Sequence, residues 1–258
     1  MQSDFRRYLQ DEFLLRSERN KQYSLRSFSK HLGIGSSDLS KLINQKRRAT
    51  PKLIQRLASP LNLSRAQVQH FVKYCENPDM EKDEVQFKSL SIDTFRIIAD
   101  WYHFGILELM KLPNFSTDAH WIGKYLGISP VAVNIAIERL VRVGFLKIDE
   151  NGVWHDSVGP TSMLSDYKST KARRQLQNQI LDLAKDSLIK VPITEREQSA
   201  VIMAIDSSKI SEAKLIINKF RKDMIELLAN PAGNKDRLAI LNLSLFPVNN
   251  ALSMEAMS

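Results

Sequence analysis

Ser36, Ser37, Asp38, Ser40, Lys41 and Asn44 fall close together, and each carries a side chain able to hydrogen-bond a base edge or a phosphate oxygen. Gln45-Lys46-Arg47-Arg48 follows at once, a charged loop suited to gripping a polyanionic backbone. Between the polar residues stand Leu39, Leu42 and Ile43 at helical spacing, so one face of the segment turns inward and the polar set turns outward. The chemistry this predicts is recognition of double-stranded DNA. Residues 36–44 would read the major groove, with Lys46, Arg47 and Arg48 on phosphates.

A second basic cluster, Lys168, Lys171, Arg173 and Arg174, begins another predicted helix. It offers secondary contacts to phosphates or to an acidic effector such as a nucleotide second messenger, against the ordinary alternative of a solvated helix face. Trp101-Tyr102-His103 is rich in functional groups, but consecutive helical residues point about 100° apart and cannot converge on one small target. Packing is its expected role. Glu195, Arg196 and Glu197 read as exposed ion pairs. No phosphate-binding glycine loop, HExxH helix or nucleophile elbow occurs in the chain. Cys75 is the single cysteine and the five histidines lack ligand spacing, so no disulfide framework or thiolate zinc site is available. The expectation is a protein that is not an enzyme, with no catalytic residues, metal or cofactor.

Charge distribution supports the polyanion reading. The 258 residues carry a formal net charge of +8, and all of it lies in residues 1–80, where 15 Lys/Arg face 7 Asp/Glu. Residues 81–258 hold 22 of each and sum to zero. A basic head on a neutral body is the pattern of a polyanion-binding domain joined to something else. The apolar runs are too short to span a bilayer, and MQSDFRRYLQDEF lacks the apolar core of a secretory signal. A reducing, cytoplasmic setting without membrane contact is expected.

The elements that must hold these residues are mostly helical. Apolar periodicity predicts a helix from Phe5 to Arg19. Ser24 caps a second helix, Ser36 or Ser37 a third, Thr50-Pro51 opens a fourth, and Ser64 with Gln67 forms a capping box before a fifth. Residues 77–92 read as a linker. A long helix is expected over 93–111, then helices over 118–125 and 129–143, then a hairpin turning at Asn151-Gly152. Helix, helix, helix, hairpin is the order of a winged helix. In the tail, helices are expected over 167–188 and 208–229, with strands over 199–206 and 237–246. Two strands are too few to stand alone, so this unit must borrow a partner from elsewhere in the chain or from another subunit.

Two segments repeat one architecture. In 25–44 a small residue (Ser29), a turn glycine (Gly33) and the packing set Phe28, Leu32, Ile34, Leu39 and Leu42 follow helix-turn-helix spacing. Gly123, Gly127, Ile122, Leu126, Ile128, Val133 and Ala136 repeat it in 119–138. Their outward faces differ. The second presents Pro130, Val131, Ala132, Asn134, Ile135 and Glu138, a poor reader of DNA, although Arg139, Arg142 and Lys147 could still touch phosphates. A scaffold role is expected for it.

On YSLRSFSKHLGIGSSDLSKLINQKRR the first 75 residues resemble the lambda-repressor-type helix-turn-helix superfamily. With FRIIADWYHFGILEL, WIGKYLGISPVAVNIAIERLVRVGFL, EREQSAVIMAID and LNLSLFPVN added, nearly the whole chain resembles an uncharacterised family of predicted bacterial transcription regulators with a C-terminal domain of unknown function. The resemblance implies a DNA-binding regulator and transfers neither operator nor ligand. The fold expected is mainly α: a five-helix helix-turn-helix domain over 1–76, the linker, a winged helix over 93–158, and a small α+β unit over 159–250. That last unit would dimerise or sense a signal. The expected partners are double-stranded DNA, a second copy of the chain, and a small-molecule or protein effector. The rival expectation is a protein-interaction adaptor or effector-binding module whose helix-turn-helix folds no longer bind DNA.

Overall fold

The early helices begin where a side chain satisfies amides that have no partner within the helix. Asp4 caps α1 (Phe5–Arg19) by accepting from the Arg6 amide at 2.9 Å, and Ser24 caps α2 (Leu25–Leu32) by accepting from the Ser27 amide at 3.2 Å. Thr50 caps α4 (Pro51–Ala58), which carries proline in its first turn. Ahead of α5 (Arg65–Glu76), the Ser64 amide donates to Gln67 Oε1 at 2.8 Å and the Gln67 amide donates to Ser64 Oγ at 3.3 Å, a reciprocal box. Helix α3 (Ser36–Ile43) differs from expectation. Gly35 is its N-cap, no side chain caps it, and Ser36 already lies inside the helix.

The computed structural model describes residues 4–20, 22–44, 46–76, 94, 96–97, 99–157, 170–230 and 233–248. Among these the fold is mainly α, with one two-stranded sheet. The linker expected at 77–92 lies outside the described residues. No described helix is long and apolar enough to cross a membrane.

The single long helix expected over 93–111 is interrupted. Residues 96, 97 and 99 are helical, but Asp100 leaves the helix and α6 runs only from Tyr102 to Leu109. The cause is local. Fully buried Asp100 accepts from Gln175 Nε2 at 2.9 Å and from the Tyr102 hydroxyl at 3.3 Å, and its carbonyl accepts from the His103 amide at 3.2 Å. Bonds made by this side chain and this turn replace the regular helical ladder. Helices α7 (Ala119–Leu126) and α8 (Pro130–Val143) follow, capped by Asp118 and Ser129. The hairpin pairs β1 (Leu146–Ile148) with β2 (Trp154–Asp156) antiparallel, Lys147 opposite His155. Asp149 Oδ1 holds its turn by accepting from the Asn151 and Val153 amides, both at 2.9 Å, and Gly152 takes the left-handed φ of 77°.

The chain divides into two compact units, residues 1–176 and 177–258. In the first, Phe5, Leu9, Phe13, Phe28, Leu39 and Phe71 are at most 3 % exposed and share one apolar cluster. Helix α9 (Thr170–Lys190) begins in this unit, where Ala172 and Leu176 are buried.

The second unit holds the remainder of α9 and α10 (Ile210–Leu228). Gln198 Nε2 donates to the Ala184 carbonyl at 2.9 Å, and Arg237 Nη1 donates to Glu195 Oε2 at 3.0 Å. Residues 199–206 and 237–246, expected as strands, form no ladder. No described residue between 177 and 248 is buried.

Candidate nucleic-acid interface

Helix α3 is anchored by one face. Leu39, Leu42 and Ile43 are each at most 1 % exposed, whereas Ser36, Ser37, Asp38 and Lys41 are exposed and Ser40 and Asn44 half-buried. The approach to α3 is fixed by Gly33, whose φ of 66° and ψ of 32° are left-handed, the region where a side chain is costly. The Ile34 amide then donates back to the Ser29 carbonyl at 3.1 Å, and Arg56 Nη2 donates to the Gly33 carbonyl at 2.7 Å. At the far end, the Ile43 carbonyl accepts from Gln10 Nε2 at 3.1 Å and Arg6 Nη1 at 3.3 Å. Both ends of α3 are thus held by residues of other helices.

Lys46, Arg47 and Arg48 are exposed immediately beyond α3, while Gln45 lies outside the described residues. Two of the sequence-predicted residues occupy each other: Arg47 Nη1 pairs with Asp38 Oδ1 at 2.6 Å. Each side chain is about half exposed, so the pair is open to exchange for a solvent or phosphate contact. Asn44 Nδ2 donates to Ser40 Oγ at 3.3 Å. A shallow cleft beside this face is lined by Ser24, Arg26, Ser27, Ser29, Lys30, Ile34 and Ser36. Exposed Arg26 and Lys30 extend the basic surface onto α2, which reading the sequence for a single helix overlooked. Their i, i+4 spacing on the helix before α3 was the available signal.

The second helix pair has the same turn and a different fate. Gly127 is left-handed at φ 69°, and the Ile128 amide donates to the Gly123 carbonyl at 2.9 Å. The face of α8 expected to be outward is not. Ala132 and Ile135 are 7 % and 1 % exposed and belong to the apolar cluster of Phe5 and Leu9, with Ile128 and Val131 packed against it. Glu138 Oε2 accepts from Arg6 Nη1 at 2.7 Å and from Gln10 Nε2 at 3.2 Å. Arg139, expected as a spare phosphate contact, is 2 % exposed and paired with Asp11. The apolar character of this face is explained by burial against the first five helices. Lys147 is exposed and Arg142 half-buried.

In the second basic cluster Lys171 and Arg174 are exposed and Arg173 is half-buried, because Ala172 and Leu176 dock this first part of α9; Lys168 lies outside the described residues. Tyr102 and His103 are buried and Trp101 is half-buried. His103 is fully buried, its Nδ1 lies 3.0 Å from the Asp100 carbonyl, and its ring stacks on Tyr102. Desolvation, reinforced by the Arg139 and Arg96 charges, lowers its pKa from 6.5 to about 3 despite the opposing backbone bond, so the imidazole is neutral near pH 7. Among the described residues no group of His, Cys, Asp and Glu is arranged to hold a metal.

Residues 81–248 match the family model described as Domain of unknown function (DUF4423). Comparison with curated proteins and with solved structures finds no significant match.

Proposed function

We propose, for a chain that belongs to the DUF4423 family and inherits no activity from its description, a DNA-binding transcription regulator acting as a homodimer. Helices α2 and α3 serve as a helix-turn-helix, and α3 enters the major groove with Ser36, Ser37, Asp38, Ser40, Lys41 and Asn44 toward the bases. Lys46, Arg47 and Arg48 hold phosphates, and the winged helix over 93–158 positions this head. The observation that carries the reading is the division of α3 into a buried apolar face and an exposed polar one, inside the third of the chain that contains the whole +8 excess. The cleft residues Arg26 and Lys30 add cations on the same side. A dimer on paired half-sites follows because one small head buries little DNA surface.

The Asp38–Arg47 pair favours the rival reading, an interaction adaptor, since it neutralises charge on the reading face. Fluorescence anisotropy with mixed-sequence duplex in moderate salt separates the two. The regulator binds, and Lys46→Glu/Arg47→Glu/Arg48→Glu weakens binding by at least tenfold. No duplex binding by the unaltered chain, or equal binding by the triple variant, leaves the adaptor.

A further inference from the structure

The described residues of the unit from 177 onward form helices and extended segments but no interior. None of its described residues is buried, and all but four of the exposed large apolar side chains among the described residues belong to it. Ile202 is 97 % exposed and Val201 77 %. Along 199–205 and 239–246 no backbone amide or carbonyl makes a hydrogen bond, although every other stretch of comparable length in this unit is helical or tied by side chains. Unpaired backbone in an apolar run attracts other strands. What is absent is therefore both a ladder partner and a covering face.

The two segments carry different patterns. In SAVIMAID, Val201, Met203 and Ile205 alternate with Ile202 and Ala204, so both faces are apolar, the pattern of a central strand covered on both sides. In the second segment Leu241, Leu243 and Leu245 make one face, while the other includes Asn242 and Ser244. With Ile240 and Phe246 at its ends, that second face is polar only at its centre, a pattern suited to an edge rather than to a strand covered on both sides. Arg237 and Glu195, in ion-pair contact, bring the starts of the two segments together, yet the segments do not pair with each other.

We infer that a second copy of this chain completes the unit, by an intermolecular four-stranded sheet in which the two 199–206 segments lie antiparallel at the centre and each 237–246 segment forms an edge beside its partner's central strand. This order leaves room for the partner's strand between the two segments of one protomer. It accounts for their lack of mutual hydrogen bonds. It is also closed under two-fold symmetry, so no strand of either copy is left over, and it meets the minimum of three strands for a stable sheet. A second copy is the occupant because the stretches needed, 199–205 and 239–246, are ones the chain itself supplies without a ladder partner. The area agrees: at roughly 60–100 Å² per apolar side chain, the exposed set amounts to on the order of 3,000 Å² across two protomers, within the range of about 2,000–5,000 Å² for obligate homodimers. The inference specifies the dimer invoked in the proposed function and is independent of DNA.

Light scattering of the full chain without DNA tests it. The expected mass is twice 29.5 kDa, and Ile202→Pro, which removes a ladder donor, shifts the chain to monomer at the same concentration. A concentration-independent monomer, or an Ile202→Pro chain that remains dimeric, overturns the sheet. Should that variant fail to fold, amide hydrogen exchange on the unaltered chain decides. Slow exchange across 199–205 and at alternate amides of 239–246, lost on dilution to monomer, is required, and protection retained by the monomer or unprotected exchange at those amides in the dimer overturns it. Dimers that bind no duplex leave this inference standing and remove the DNA reading; duplex-binding monomers do the reverse.

Discussion

Gly123 shows how a turn can depend on the absence of one carbon. A Cβ placed there would stand 2.7 Å from the Ile128 carbonyl oxygen, closer than real contacts allow, and that oxygen is backbone that cannot swing aside. Gly123→Ala is expected to cost about 1–3 kcal/mol, as overpacking does, and to lower the urea midpoint without changing the slope. His103 carries a different prediction. Its folded pKa of about 3 lies below its ordinary 6.5, so between those values the unfolded chain binds more protons. Stability therefore rises with pH across this window and is lost as pH falls from about 6.5 toward 3. His103→Gln, which keeps a polar group beside the Asp100 carbonyl without titrating, should flatten the dependence of the urea midpoint on pH between 6.5 and 5.

At the scale of elements, α1 and α8 form the seam that fixes the first unit. The Arg139 guanidinium is 2 % exposed and faces Asp11 across it. Asp11→Ala removes the carboxylate that faces this buried cation, and about 3 kcal/mol of stability should be lost, read as a lower midpoint in thermal melts. The same seam marks how far sequence reasoning reaches. The caps at Ser24, Thr50 and Ser64 are legible because each is decided by residues three positions apart. The glycine turns are legible because left-handed backbone selects glycine. The face of α8 is not, since its partners lie 132 and 128 positions away in Arg6 and Gln10. An apolar outward face predicts burial without saying against what. The break at Asp100 escaped for a similar reason: periodicity continues through it, and only Gln175 on a distant helix reveals that the carboxylate is buried. On α3 the residue types were readable from sequence; the Asp38–Arg47 pair across nine positions was not.

For the whole molecule, net charge and buried core are concentrated at the same end of the chain. The basic excess belongs to the part that has a core, and the neutral tail to the part in which no described residue is buried. Two heads acting together, each placing Lys46, Arg47 and Arg48 on phosphates, should give a slope of about −5 when the logarithm of duplex affinity is plotted against that of salt, whereas one head alone gives about −3. Titrations from 50 to 200 mM salt distinguish these values. That none of the tail's described side chains is buried bears on dose. A unit whose interior forms only between molecules has a folding equilibrium that is second order in protein, so its melting temperature climbs with concentration while that of residues 1–176 stays fixed. Doubling the number of chains in a cell then does more than double the bound form, because abundance itself decides how many tails exist as ordered structure.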